Sequence, residues 1–420
     1  MTVIAFSGVR RMPTALGVCL LSFAAFWVAQ RAAHVSMIDL LVYRAEGATV
    51  RAGGDLYALR TTAARLPTTY PPFAALLFTP LTLFDTAQLR VLGWAGNLVL
   101  LVLFVRLSLR LVGHTRVEGV WWVSAGAVWC EPVWTTLRYG QVNLLLAVLV
   151  LWDLTRRGPD RWAGVGIGLA AAVKLTPALF AVFLLAVGVT ARVRGGSGRP
   201  YLRHARGAAL VFTGATLLAA ALLPYDSRRF WTEALFQAGR VGRPEDTANQ
   251  ALRGVLARVL HTPEPGLAWA VLAALTALGG LAVAVVAESR GRRARAVTAC
   301  AVTALLVSPV SWSHHWVWCV PVVLLLWTRG RRRAAVATAL VFCSYALWWV
   351  PHGEGRPELQ QSGAELTLSA LYCAAGCLFL MLAGAATARP PGLLTHRQLG
   401  PSARASGRAP VRPSRTSRTV

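Results

Sequence analysis

The stretch from Gly166 to Val187 reads GIGLAAAVKLTPALFAVFLLAV and is long and apolar enough to cross a lipid bilayer. Its one charged residue, Lys174, is the only lysine of the chain; the other 42 of its 43 basic residues are arginine. A cation within such a segment is costly, so it marks a functional site by default. Thr176-Pro177 predicts a break in the helix beside it. The alternative is a lysine that extends toward the headgroup layer.

Composition extends this membrane assignment to the whole chain. Of 420 residues, 55% are hydrophobic and only 14% are charged, with a mean hydropathy of +0.52. Apolar runs recur along residues 1–388 at lengths suited to membrane helices. The sequence therefore predicts an all-α, polytopic transmembrane helical bundle of about ten to twelve spans. The predicted runs are 13–33, 70–84 (a proline-interrupted half-helix), 89–112, 120–136, 142–154, 162–188, 207–223, 267–287, 296–307, 316–327, 334–350 and 366–386.

The net charge of +26 indicates membrane topology rather than nucleic-acid binding. Its arginines cluster in short loops, which stay cytoplasmic and contact anionic membrane lipids. A nucleic-acid-binding chain would carry them on one soluble domain. We expect a multi-pass protein of the cell membrane with both termini cytoplasmic and a first extracytoplasmic loop at 34–70. Residues 389–420 contain no acidic residue and are rich in Pro, Ser, Arg and Gly, which predicts a disordered, basic cytoplasmic tail.

Two kinds of motif are missing from the sequence. The seven cysteines show no CxxC and no spacing typical of a disulfide framework. No glycine pattern of a nucleotide-binding loop occurs either. We therefore expect no cofactor. Arg10-Arg11 before the first apolar run resembles a signal peptide, but many spans follow and no clear cleavage site is present, so we expect an uncleaved first span.

Polar motifs recur at the predicted outer ends or breaks of the spans. They are Asp39 to Tyr43, Tyr70-Pro-Pro, Arg138 to Asn143, Lys174 to Pro177 and Ser308 to His315. If these ends converge, one extracytoplasmic cavity would hold an acid, a lysine, two histidines, amides and aromatic rings. Such a set suits a reaction in which a hydroxyl is deprotonated and an anionic group departs.

Five segments, in order, resemble the successive signatures of glycosyltransferase family 87. They are MIDLLVYRAEGATVRAGGDLYA (37–58), TYPPFAALLFTPL (69–81), YGQVNLLLAVLVLWDL (139–154), AAVKLTPALFAVFLL (171–185) and SPVSWSHHWVW (308–318). The resemblance covers about 37–328 and implies a polyprenol-phosphate-mannose-dependent α-mannosyltransferase. It also implies a GT-C fold, with a catalytic aspartate in the first extracytoplasmic loop.

Asp39 matches the loop aspartate of the family, which implies that it is the general base. The alternative is a carboxylate that caps a loop helix. Glu46 lies seven residues further on and on the same face if the segment is helical. It is the rival base, or else a solvated acid of the loop.

The remaining candidates are substrate-binding residues. Lys174 would neutralise a departing polyprenyl phosphate, and His314 and His315 would help or bind sugar hydroxyls, with one of the pair facing the substrate. The other substrate-binding candidates are Tyr43, Tyr70, Gln141 and Asn143. Tyrosines at an interface and amides between helices are also common for structural reasons. No acid stands at ligand spacing around the histidine pair, so we expect no metal.

These features predict a membrane glycosyltransferase that moves a sugar from a polyprenyl-phosphate donor to a glycolipid or lipoglycan acceptor outside the membrane. By resemblance the donor is β-linked, so one in-line displacement gives an inverted, α-linked product. Mannose and arabinose both remain open as the sugar. A secondary transporter shares the broken helix and buried polar groups, but the sequence shows no internal repeat. A lipid-glycan polymerase or ligase would need a large late outer loop, and residues 224–250 are short.

Overall fold

The computed structural model describes residues 6–33, 35, 37–156 and 161–388. The predicted tail, 389–420, lies outside them. The described part is helical, with eighteen α-helices, and the all-α prediction is confirmed. The helices are α1 (Phe6–Ala32), α2 (Ile38–Arg51), α3 (Pro72–Phe78), α4 (Thr86–Leu111), α5 (Val117–Ala127), α6 (Glu131–Tyr139), α7 (Asn143–Leu154), α8 (Val165–Val173), α9 (Ala178–Val193), α10 (Arg199–Leu222), α11 (Pro224–Thr232), α12 (Leu252–Val259), α13 (Gly266–Ser289), α14 (Arg293–Val307), α15 (Cys319–Thr328), α16 (Arg332–Cys343), α17 (Gly363–Ser369) and α18 (Leu371–Ala388).

Besides the α-helices, the described residues contain six short 3₁₀ turns and one small β-ribbon. The turns are Thr79–Leu83, Ala234–Phe236, Ala238–Arg240, Ser313–Trp318, Ala346–Trp348 and Pro357–Gln360. The ribbon joins β1 (Arg60–Thr61) to β2 (Leu66–Pro67) in antiparallel register, with Arg60 opposite Pro67. It lies within the predicted first loop, between α2 and α3.

Five described helices are long and apolar enough to cross a membrane. They are Met12–Ala32, Thr86–Leu111, Arg199–Leu222, Gly266–Ser289 and Leu371–Ala388. A sixth results if α6 and α7, which meet at 116°, count as one bent span. The other apolar helices are shorter or broken, so the total of ten to twelve spans stays a prediction.

Two breaks between helices, α8–α9 and α5–α6, each lie beside a proline in the sequence. Lys174 has an extended backbone (φ −149°, ψ 126°) between α8 and α9, and Pro177 precedes α9, so the predicted break at the lysine is confirmed. The apolar run 120–136 was expected to be continuous, but it divides between α5 and α6. Pro132 lies in the first turn of α6, where its missing N–H removes no helical hydrogen bond.

The predicted half-helix at 70–84 consists of α3 and the 3₁₀ turn that follows it. This pair forms a platform for α2. Gly47 lies so close to the platform that a Cβ atom there would stand 2.5 Å from the carbonyl oxygen of Phe78. Glycine is therefore required for this approach. On the other side of the platform, the Leu56 N–H donates to Asp226 of α11 (3.0 Å) and Arg229 forms an ion pair with Asp55, which fixes the first loop.

One large apolar core runs through the bundle, with α4 packed on α7, α8 on α10, and α14 on both α13 and α18. A smaller cluster under the first loop contains Leu56, Tyr57, Ala75 and Phe230. The site described next lies where α2, the start of α7 and the break between α8 and α9 meet the turn Ser313–Trp318.

Candidate functional site

Asp39 lies in the first turn of α2, half-buried against the α6–α7 corner. Its Oδ2 accepts a hydrogen bond of 2.8 Å from the side-chain amide of Gln141. Burial raises the pKa of Asp39 to about 6, although the Gln141 hydrogen bond and the Lys174 ammonium both lower it. A carboxylate with a pKa near 6 is still ionised at neutral pH and is a stronger base than an ordinary aspartate.

Gln141 connects this acid to two tyrosines. Its Oε1 accepts hydrogen bonds from the hydroxyl groups of Tyr43 (2.8 Å) and Tyr70 (3.1 Å). The two hydroxyl oxygens lie 2.9 Å apart. Because the amide oxygen is turned toward the tyrosines, the amide nitrogen is directed at Asp39. All four predicted residues therefore form one connected polar group.

The corner that presents Gln141 depends on Gly140. This residue ends α6 with a positive φ of 69°, a conformation that costs glycine little. A Cβ atom there would also stand 2.7 Å from the Cβ of Leu40 on α2. Glycine is needed both for the turn and for the approach of the aspartate helix. The sequence motif Arg138-Tyr-Gly-Gln141 thus has a local physical reason.

Lys174 is the centre of a second polar group. Its Nζ lies 2.9 Å from Nε2 of His315 and 3.5 Å from Oδ1 of Asn143. Burial and the neighbouring ammonium lower the pKa of His315 well below its usual value. The imidazole is therefore neutral, and the ammonium donates to its Nε2. The Nζ also stands 5.6 Å from the ring centre of Tyr70, so Tyr70 contacts both polar groups.

The two histidines have different surroundings. The His314 carbonyl accepts hydrogen bonds from Thr136 (2.8 Å) and from the Asn143 amide (3.0 Å). The His314 ring instead packs edge-on against Tyr139, with centroids 5.5 Å apart, and its Nε2 is buried without a partner. Only the ring of His315 contacts Lys174. One of the pair thus belongs to the lysine group, and the Asn143 amide holds the loop in place.

Glu131 was missed by the sequence analysis. Its carboxylate is buried and accepts four hydrogen bonds: from Thr135 (2.7 Å), Ser313 (2.8 Å), Trp348 (3.2 Å) and Tyr372 (3.1 Å). These donors come from four separate segments, among them the residue before the histidine pair. Glu131 therefore fixes the turn that carries His315. The signal available in the sequence was an acid inside the apolar run 120–136.

Glu46, the rival base, is completely buried in the structure. Neither of its carboxylate oxygens has a hydrogen-bond partner. Burial and the charge of Asp39 together raise the pKa of Glu46 to about 8, although the nearby Thr68 hydroxyl lowers it. The expectation that Glu46 is a solvated acid of the loop is wrong. A buried and protonated carboxyl cannot accept a proton at neutral pH, so Asp39 is the better candidate for the base.

A cavity of about 550 Å³, including its open mouth, adjoins the lysine group. Lys174, Asn143 and His315 line one side of it, and its apolar wall includes Phe180 and Trp318. The aspartate and its tyrosines lie beside this cavity rather than in its lining. The described residues contain no group of three or more His, Cys, Asp or Glu side chains arranged to hold a metal ion.

Several known proteins have sequences similar to this chain. The profile of glycosyltransferase family 87 matches residues 69–309. A polyprenol-phosphate-mannose-dependent alpha-(1-2)-phosphatidylinositol pentamannoside mannosyltransferase of Mycobacterium tuberculosis (strain CDC 1551 / Oshkosh) is 35% identical over 303 residues. That alignment covers 70% of this chain and 66% of the relative. The phosphatidylinositol mannoside mannosyltransferase of strain H37Rv, with the same donor and linkage in its name, is 34% identical over 66% of this chain and 65% of its own length.

A third relative, the phosphatidylinositol mannoside mannosyltransferase of Mycolicibacterium smegmatis, is 34% identical over 75% of each chain. Among solved structures, ArnT from Cupriavidus metallidurans bound to undecaprenyl phosphate has a TM-score of 0.41 at 14% identity, covering 92% of this chain and 78% of that one. The chain spans about two thirds of the length of the first two relatives. Since the family profile matches more than half of its 420 residues, the chain belongs to glycosyltransferase family 87.

Proposed function

We propose that this chain is an integral membrane α-mannosyltransferase that takes mannose from a polyprenyl-phosphate donor. The acceptor would be a mannosylated phosphatidylinositol or a related lipoglycan. The names of its relatives support both substrate classes. One observation carries the mechanism: Tyr70 separates a carboxylate group around Asp39 from a cationic group around Lys174. A reaction that needs a base at one end and an anion-binding group at the other fits this arrangement.

Asp39 acts as the general base in this proposal. The acceptor hydroxyl oxygen forms a bond to the anomeric carbon of mannose, and its proton passes to the Asp39 carboxylate. Gln141 donates to Oδ2, which leaves Oδ1 free of that bond for the hydroxyl. A pKa of about 6 leaves the group mostly ionised at pH 7, while keeping it basic enough for general-base catalysis.

Lys174 stabilises the leaving group. As the anomeric carbon–oxygen bond breaks, its electron pair stays on the polyprenyl phosphate, which then carries an additional negative charge. An ammonium in a water-poor site stabilises such a charge strongly. Because His315 is neutral, it directs the ammonium without competing for the phosphate. We propose that this cation, rather than a metal ion, neutralises the developing charge, and that inversion of a β-linked donor gives the α product.

Topology is part of the same proposal. The first loop and the turn Ser313–Trp318 would face the extracytoplasmic side of the cell membrane, with both termini in the cytoplasm. The arginine-rich connections around 192–206, 290–295 and 329–333 support this orientation. Family membership favours a transferase over a transporter. It also favours a mannosyltransferase over a polymerase or ligase.

The test is sugar transfer in membrane vesicles that contain the full chain. Radiolabelled polyprenyl-phosphate mannose and a native lipid extract would be supplied, with polyprenyl-phosphate arabinose as the competing donor. We expect label from mannose to enter a glycolipid with the wild type, and a decrease of about 10²- to 10⁴-fold with Asp39→Asn.

Asp85→Asn is the matched control. Asp85 is an exposed cap of α4, and asparagine caps a helix equally well, so this variant should transfer at the wild-type rate. Transfer by Asp39→Asn at the control rate would refute the assignment of the base. No transfer by folded wild type with either donor would refute the proposed function.

A further inference from the structure

A second cavity lies away from the catalytic candidates, between α14, α15, α16 and α18. It encloses about 1870 Å³ including its open mouth. Trp316 and Trp318 line the end nearest the site, and the walls are apolar, for example at Val322 and Phe379. Trp318 also lines the first cavity, so the two spaces share a wall. The second cavity is a separate feature that the proposed reaction does not use.

The far end of this cavity carries arginines. Arg295 lies near the start of α14, and Arg329 and Arg331 follow the end of α15. No acidic side chain is among the lining residues that the structure describes. Arg295 is electrostatically repelled by Arg292 and Arg329, so the cationic end is not internally neutralised. An anion would relieve this repulsion.

Arg295 supplies a second, independent indication of a ligand. Its Nη1 is buried and has no hydrogen-bond partner, although a buried guanidinium N–H normally has one. The hydrogen bonds to the acid Glu288 come from Arg293 (2.6 Å) and Tyr201 (3.0 Å), not from Arg295. The helices α14 and α16 also begin at this end, and helix N-termini favour anions.

The dimensions point to one class of occupant. The cavity lining follows α15, whose ten residues rise about 15 Å along the helix axis. That is half of a hydrocarbon core of about 30 Å, or one leaflet of a bilayer. An apolar slot of leaflet depth with cations at one end matches an acyl chain attached to an anionic headgroup. A polyprenyl phosphate seated at the catalytic site would place its phosphate at the opposite end.

We infer that the second cavity binds an anionic phospholipid, with its phosphate held by Arg295, Arg329 and Arg331 and an acyl chain between α15 and α18. This lipid comes from the leaflet opposite the catalytic site. The lipid-binding inference does not depend on the proposed reaction, and only the assignment of the leaflet rests on the topology given under the proposed function. Basic pockets between membrane helices bind anionic headgroups in this way.

The experiment is native mass spectrometry of the purified full chain in detergent with equal amounts of phosphatidylglycerol and phosphatidylcholine that carry identical acyl chains. We expect preferential retention of phosphatidylglycerol by the wild type. Arg295→Gln and Arg329→Gln should each lower its affinity about fivefold. Arg333→Gln is the control. Arg333 lies on α16 but outside the cavity lining, so this substitution should leave the preference for phosphatidylglycerol unchanged.

A second variant tests whether the cavity binds the acyl chain of the lipid. Ala337 lines the cavity yet is largely exposed, so Ala337→Trp fills the slot without displacing packed atoms and should lower retention of both lipids. A melting temperature in detergent without added lipid identifies any variant that fails to fold. Equal retention of the two phospholipids by the wild type, or a preference that survives both arginine substitutions, would overturn the inference. Preferential retention of added polyprenyl phosphate at this cavity would overturn it too.

Discussion

Replacement of Glu46 by glutamine tests experimentally whether the two acids of α2, Asp39 and Glu46, have different roles. Glu46 is fully buried, and neither of its oxygens has a partner. Its pKa is raised from 4.5 to about 8. Between these values the folded protein keeps a proton that the unfolded chain has released. A rise in pH through this window therefore favours unfolding, and the stability present below pH 4.5 is lost progressively as the pH approaches 8.

The magnitude follows from the shift. Each pKa unit corresponds to about 1.4 kcal/mol, so the group destabilises the fold by about 3 kcal/mol at pH 7 and by about 4 kcal/mol at pH 8. Glutamine has the shape of the protonated acid and does not titrate. We expect the variant to melt close to the wild type at pH 5 and at a higher temperature by pH 8, with sugar transfer retained.

The assay is the apparent melting temperature of purified protein in detergent from pH 5 to 8, beside a transfer assay at pH 7. Glu354→Gln, an exposed acid, is the matched control and should follow the wild type at every pH. If the melting temperatures of the wild type and Glu46→Gln change in the same way from pH 5 to 8, the assignment of Glu46 as a buried, protonated carboxyl is refuted. Loss of transfer in a folded Glu46→Gln variant would return Glu46 to the role of base.

Three further predictions concern the polar groups of the site. The kcat/KM of transfer, which reports the enzyme before the donor binds, should rise with a midpoint near pH 6 as Asp39, with a pKa of about 6, loses its proton; a profile of kcat/KM from pH 5 to 8 measures this. Lys174→Gln should lower kcat by about 10²-fold or more. Lys174→Arg should not restore kcat, because a planar guanidinium cannot replace an ammonium 2.9 Å from His315. Steady-state kinetics with varied donor concentration measures both effects. Glu131→Gln should lower stability by about 2 to 3 kcal/mol, since an amide cannot accept all four of its hydrogen bonds; thermal melting at pH 7 measures this.

Much of the site could be predicted because its residues violate the local pattern of the sequence. Lys174 is a lone cation in an apolar run beside a proline, and the structure has the expected break there. The polar motif Arg138 to Asn143 lies between two apolar runs, which indicated a break there, and in the structure the positive φ of Gly140 ends α6. Asp39 was identified through the family resemblance, and the position of its helix against Gly140 adds a physical reason for its placement.

The parts that escaped prediction depend on long-range packing. The environment of Glu131 is set by Ser313, Trp348 and Tyr372, all distant in the chain. The burial of Glu46 depends on how closely Gly47 approaches the end of α3. Neither effect leaves a periodic signal, because both arise from tertiary contacts of single residues. The number of spans is open for a related reason, since broken and bent helices have no fixed relation to membrane thickness.

The separation of Asp39 from Lys174 is itself informative about the reaction. A direct ion pair would lower the pKa of the acid and occupy the ammonium. No ion pair joins the two in the part of the chain that the structure describes; Gln141 and Tyr70 stand between them instead. Both charges thus remain available to ligands, yet close enough for Lys174 to act on the pKa of Asp39. Binding of a donor phosphate at Lys174 would cancel part of this effect. The pKa of Asp39 would then rise, and the acid would become a stronger base once the donor is bound.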